Sequence, residues 1–108
     1  MGHTVQNESD VAVVTLRFVA SDSSAVAASL ARYVITSRGH DGCVNIDLCR
    51  STSDSDVFVV IEKWTTPTTQ RAHVDSSDMV RMASEMRGVL RSPPAIELLD
   101  PISAHDLH

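Results

Sequence analysis

The stretch Val57 to His73, VFVVIEKWTTPTTQRAH, constrains the fold more than any other part of the chain. Val57 to Ile61 is an apolar, largely β-branched run of the length expected of a strand buried on both faces. Glu62 and Lys63 bring charge, Trp64 follows, and Thr66-Pro67 reads as a helix start. Thr66 suits the N-cap and Pro67 the first helical position, where a missing N–H costs nothing. The chain therefore leaves a central strand at Trp64 and returns a histidine, His73, on a helix nine residues later. A large aromatic at a strand end and a titratable ring on the next helix are placed to share one pocket.

Around this stretch the remaining elements follow from periodicity. Val11 to Val19 reads as a first strand, apolar on both faces except for Arg17. Ser21 to Ser24 offers N-caps for a helix to about Ser37, with the stripe Val26, Leu30 and Val34 backed by Ala27 and Ala31. Gly39 and Gly42 end it. Cys43 to Arg50 alternates, with Val44, Ile46 and Leu48 against Cys43, Asn45, Asp47 and Cys49. The polar turn 51–56 then closes a β-hairpin onto Val57 to Trp64. Asp75 to Asp78 caps a further helix whose inward stripe is Met79, Met82, Ala83, Met86 and Leu90, and Pro93-Pro94 stops it. Ala95 to Leu99 is a short last strand. Residues 1–10 read as a flexible leader, 11–100 as one domain and 101–108 as a tail.

The order β-α-β-β-α-α-β fits a ferredoxin-like split βαβ arrangement of the α+β class. It is a four-stranded antiparallel sheet with helices on one face. Since strands one and three are apolar on both faces, the uncovered face calls for a second copy packed sheet to sheet, a homodimer.

Composition narrows the function classes. The 108 residues allow a single domain, and 43% hydrophobic content with 21% charge is ordinary for a globular chain. A net charge of −5, with basic residues scattered, gives no footprint for nucleic acid or an anionic membrane. No apolar stretch approaches the roughly 18 residues of a membrane span, and the first ten residues do not form a signal peptide, so a cytoplasmic protein is expected. Cys43 and Cys49, on one strand, would stand roughly 20 Å apart and cannot bridge, which fits a reducing compartment. His3, His40, His105 and His108 lie in leader, turn and tail with no spacing that suggests a metal site.

The segments GCVNIDL, STSDSD and VFVVIEKW, with His73 nine residues after Trp64, resemble the antibiotic biosynthesis monooxygenase family over about Val11 to Asp100. The resemblance implies a dimeric α+β barrel. It also implies activities that range from cofactor-free oxygenation of phenols, quinols and anthrones to haem degradation and small-carbonyl isomerisation, with some members lacking known activity. AVVT at Ala12 to Thr15 and SPPA at Ser92 to Ala95 are similar to the quinone-forming monooxygenases. Of their pocket residues, Trp64 matches the tryptophan and Arg81, across a short gap, the arginine. Their asparagine falls on Val60 and their strand-two histidine on Cys49. The haem-degrading pattern meets Arg17, His73 and Met82 at its three positions, so haem cleavage is not expected.

The resemblance thus implies a cofactor-independent monooxygenase acting on a small, flat, electron-rich aromatic. His73 would be the base, Arg81 or Arg17 would hold the developing anion, Trp64 would stack on the ring, and Asn45 would line the pocket. No metal or other cofactor is called for. Each residue also has a plainer role. Trp64 could serve the core and His73 a fold-supporting hydrogen bond, Arg81 could be solvated, and Arg17 could pair with Glu62 or Asp47. A non-catalytic ligand-binding barrel, or an isomerase of small carbonyl compounds, is the alternative.

Overall fold

In a computed structural model of the protein, which describes residues 11–103, four strands and three helices follow in the expected order. The strands are β1 (Ala12–Val19), β2 (Cys43–Arg50), β3 (Val57–Trp64) and β4 (Ala95–Leu99). The helices are α1 (Ser23–Ser37), α2 (Pro67–Val74) and α3 (Ser77–Glu85). The expected leader and most of the tail, with His3, His105 and His108, lie outside the described residues.

The sheet runs β2-β3-β1-β4 with every neighbouring pair antiparallel, the ferredoxin-like arrangement. Its inward face carries Val14, Leu16 and Phe18 from β1, Ile46 from β2, and Phe58, Val60 and Trp64 from β3. These residues form one cluster with Val26, Leu30, Tyr33 and Val34 of α1 and with Met82 and Met86 at the end of α3. Period-two alternation on the strands and the i, i+4, i+7, i+8 spacing on α1 bring these side chains to a common layer.

The helix starts form as their residues dictate. Asp22 caps α1 by accepting from the N–H of Ala25, Ser76 caps α3 through Met79, and Thr66 and Thr69 make a reciprocal capping box at α2 with Pro67 in its first turn.

Two expectations need correction. Val44 does not join Ile46 and Leu48 inside, because a register shift between Cys43 and Asn45 turns it outward, and half-buried Cys43 packs against the core instead. The last helix is also shorter than its stripe through Met86 and Leu90 suggested, since α3 ends at Glu85. The outer face of β3 is left uncovered within one chain, with Ile61 42% exposed. The outer face of the sheet carries Val13, Thr15, Arg17 and Val19 of β1 beside Val59 and Ile61 of β3.

The turn between α1 and β2 depends on Gly42. Its φ of 81° lies in the left-handed region, and a Cβ added there would fall 2.4 Å from the Cβ of Thr69, inside the α2 capping box. Gly88 has a similar φ of 79° but open space around it. Gly88→Ala should therefore cost about 1–2 kcal/mol for backbone strain alone. Gly42→Ala should add overpacking and cost about 2–5 kcal/mol. Urea midpoints at constant m-value measure the pair, and equal losses would contradict the close approach of Thr69.

Candidate functional site

The alternation that turns Val60 and Trp64 inward turns Glu62 inward as well, so β3 delivers a carboxyl group to the core, 1% exposed. The same strand and helix α1 supply its partners. The indole N–H of Trp64 donates to Glu62 Oε1 at 3.0 Å. Tyr33, on the buried stripe of α1, bonds Glu62 Oε2 through its hydroxyl.

From Tyr33 the polar contacts continue outward. His73 Nε2 lies 2.7 Å from the Tyr33 hydroxyl. Its ring packs on Trp64 with centroids 4.5 Å apart, tilted by 32°. His73 Nδ1 is 2.9 Å from Nδ1 of His40, on the α1–β2 turn. His40 Nε2 is 2.7 Å from Oδ2 of Asp78, which lies in the first turn of α3, where an acid is favoured. Arg81 then donates to Asp78 Oδ1 at 2.9 Å. His73 is 3% exposed, whereas His40 is half-buried beside a surface depression that Asp41, Ala72 and Ser76 also line.

Burial sets the electrostatics. Desolvation, with the neighbouring His40 second, pushes His73 down from 6.5 to about 4. Desolvation raises Glu62 above the usual carboxylate range against the opposing hydrogen bonds of Tyr33 and Trp64. Burial first, and then the Glu62 charge, also push the Tyr33 phenol up. Asp78 goes the other way. Its desolvation is outweighed by the hydrogen bonds of His40 and Thr36 and by the Arg81 charge, so its pKa is lowered.

A second feature lies between the sheet and α3. A cleft of about 310 Å³ is walled by Leu16 and Phe18 of β1, Ile96 of β4, and Met79, Met82 and Met86, with Arg87 also lining it. The methionine stripe read from the sequence thus forms one wall. It is a surface suited to flat apolar ligands, because thioether side chains are polarizable and adapt their shape.

The residues singled out from the sequence do not converge on that cleft. Trp64 and His73 stand together, as expected, but in the buried polar chain, and neither lines the cleft. Arg81 joins the same chain at its outer end, through Asp78. Arg17 and Asn45 lie on the outer sheet face. Arg17 is exposed, between Val59 and Ala95 in register, so the expected pairing with inward-facing Glu62 does not form. Asn45 donates to Asp47, and Asp47 pairs with Arg38 at 3.8 Å, not with Arg17.

Tyr33, Glu62, His40, Asp78 and Arg87 were not singled out from the sequence. Two of them were accessible to it: Glu62 is in phase with Val60 and Trp64, and Tyr33 follows Val26 and Leu30 on one helical face. Among the described residues, no group of three or more His, Cys, Asp or Glu side chains is arranged to hold a metal ion. No helix among them is long and apolar enough to cross a membrane.

The family model described as antibiotic biosynthesis monooxygenase matches residues 11–85. Among solved structures, a protein of Nitrosomonas europaea superposes with a TM-score of 0.82 at 14% identity, over 93% of this chain and 98% of that one. The Rv0793 protein of Mycobacterium tuberculosis gives 0.79 at 26% identity, over 85% of this chain and 95% of that one. SnoaB of Streptomyces nogalater, a cofactor-independent oxygenase, gives 0.70 at 19% identity, over 82% and 91%. No curated protein matches the chain.

The lowered pKa of His73 has a directional consequence. Between pH 6.5 and about 4 the unfolded chain binds a proton at this ring that the folded chain refuses. Its contribution to stability is therefore complete above pH 6.5 and lost as pH falls through that window, at up to about 1.4 kcal/mol per pH unit. Glu62, raised, acts in the opposite sense above 4.5, so a stability curve alone would mix the two. Histidine-resolved NMR separates them. The His73 ring resonances should stay flat from pH 8 to 5, and a midpoint near 6.5 would contradict the buried, neutral ring.

Proposed function

Because the chain belongs to the antibiotic biosynthesis monooxygenase family, we propose that it oxidises a flat phenol, quinol or anthrone with O₂, without a cofactor, in the cleft between α3 and the sheet. One observation carries this reading: the cleft is apolar and methionine-walled, with Arg87 among the residues that line it. Such a ring gains apolar contact on both faces, and its oxygen, once deprotonated, finds a cation. Stabilising the anion lowers the ring's pKa and makes it a stronger one-electron donor to O₂. For an anthrone the balance is complete: the methylene carbon loses two hydrogens and gains one oxygen atom, and the second oxygen leaves as water. The description of SnoaB as a cofactor-independent oxygenase is consistent with this chemistry on the same fold.

In this scheme the anion partner passes from Arg81, engaged with Asp78, to Arg87. The base passes from His73, both of whose ring nitrogens have partners, to water at the cleft mouth. A second reading, binding without turnover, is favoured by the same fact that neither His73 nor Trp64 lines the cleft. The functional unit is proposed to be a homodimer closed through the outer sheet face, since Val59 and Ile61 there are only partly buried within one chain and Ile61 is 42% exposed.

Oxygen uptake against a panel of hydroquinones and anthrones, in metal-free and flavin-free buffer, tests the proposal. Uptake is expected from a species of twice the chain mass by sedimentation equilibrium. Arg87→Gln should lower kcat/KM by about tenfold, the worth of one hydrogen bond to a charged group, and Ala83→Trp, which fills the cleft, should abolish turnover. Tight binding with no uptake across the panel would favour the binding reading, and a monomeric species would remove the dimer.

A further inference from the structure

The buried polar chain is separate from the cleft, and its hydrogen-bond bookkeeping admits a function of its own. We propose that Glu62, Tyr33, His73 and His40 form a two-state proton relay that exchanges one proton between the buried carboxyl of Glu62 and the half-buried His40–Asp78 pair. The inference does not rest on the oxygenase reading.

Both ends of the chain are fixed. Trp64 Nε1–H can only donate, so Glu62 Oε1 must accept, and any proton on this carboxyl sits on Oε2, facing Tyr33. Asp78 takes Arg81 on one oxygen and His40 on the other, so His40 Nε2 must carry a proton. Three contacts remain between the ends: Glu62 Oε2 to Tyr33, Tyr33 to His73 Nε2, and His73 Nδ1 to His40 Nδ1. Each holds one proton, and two arrangements keep all three bonds without an internal charge on His73 or Tyr33.

In the first arrangement every donor points outward. Neutral Glu62 donates to Tyr33, Tyr33 to His73, and His73 Nδ1–H to a neutral His40. In the second every donor points inward. His40, now a cation beside Asp78, donates to His73, His73 Nε2–H to Tyr33, and Tyr33 to the Glu62 carboxylate. Three O–H or N–H bonds break and three form as the first becomes the second, and the net result is one proton moved from Glu62 to His40. A fourth proton would set two donors face to face, and a missing one would set two lone pairs face to face, so the count of three is held. The first arrangement leaves no charge in the core, where desolvation disfavours the Glu62 carboxylate.

The surroundings leave this path as the route for the proton. Glu62 is 1% exposed, and Val60 and Trp64 flank it on the inner face of β3. The ionisable groups near the chain are Cys43 beside Tyr33 and Glu62, Arg38 toward Cys43, and Arg81 on Asp78. The buried hydroxyl of Ser37 also lies near Tyr33, without hydrogen-bond geometry. At the outer end, His40 and His73 line the surface depression with Asp41 and Ser76.

The exchange rate of the Glu62 proton tests the relay. The infrared C=O band of a protonated acid that is present in the protein and absent from Glu62→Gln reports this group. On mixing into D₂O the band should shift within the dead time. In Tyr33→Phe, which keeps the ring and removes the middle hydroxyl, the shift should slow by about tenfold or more, because exchange must then wait for local opening. His40→Ala, at the surface end, should slow it likewise, and Asp41→Asn, in the same depression but outside the relay, should not. A purely structural role predicts the opposite, since loosening the core speeds exchange. Absence of the protonated-acid band, or exchange as fast or faster in both Tyr33→Phe and His40→Ala, would overturn the proposal.

Discussion

The carboxyl group of Glu62 is the group around which the rest of the structure is arranged. A buried carboxyl is tolerated only where hydrogen-bond partners replace water. Here one oxygen takes the Trp64 indole and the other the Tyr33 hydroxyl. Satisfying it ties three elements together: β3 supplies Glu62 and Trp64, α1 supplies Tyr33, and α2 supplies the histidine that bonds Tyr33 and stacks on Trp64. Removing any one member leaves the others with buried polar atoms lacking a partner, at about 1–3 kcal/mol each. The fold and the polar chain are thus one arrangement, with apolar packing on the cleft side of the core and directional bonds on the other.

This division of the core bears on function. The apolar end, between β1, β4 and α3, holds a cleft of about 310 Å³ that Arg87 also lines. The polar end is closed, with His73 engaged at both ring nitrogens and its charge suppressed by burial. A histidine so held is suited to passing a proton between fixed neighbours and poorly suited to meeting a substrate. Under this reading binding and oxygen chemistry belong to the cleft, and proton storage belongs to the chain that ends at Asp78.

Much of the fold was legible in the sequence because its signals are local. The capping residues Asp22, Thr66 and Ser76 sit where helices begin, and the apolar runs of β1 and β3 and the period-two run of β2 mark the strands. Val44 was misplaced because a register shift is a pairing event that one strand's alternation does not record. Arg17 pairs with neither Glu62 nor Asp47, because alternation along one strand does not fix the register between strands, which sets Arg17 beside Val59 and Ala95 and leaves Glu62 on the other face, while Asp47 pairs with Arg38. Glu62 was read as the charged end of a strand when its phase with Val60 and Trp64 already pointed it inward. His40 was passed over as a turn residue, since nothing local shows that the α1–β2 turn folds back over α2. Arg87 lies beyond the last residue of α3 and reaches the cleft only through the tertiary path of the chain.

The division between an open apolar cleft and a closed polar chain is the central claim, and one spectrum addresses it. The protein, labelled at its methionine methyls and at its histidine and tryptophan rings, is titrated with a flat quinone under conditions that prevent turnover. The methyl resonances of Met79, Met82 and Met86 should move with ligand, while the rings of His73, His40 and Trp64 hold their positions. Shifts centred on His73 and Trp64, with the methionine methyls unmoved, would place the ligand in the polar chain and contradict the account.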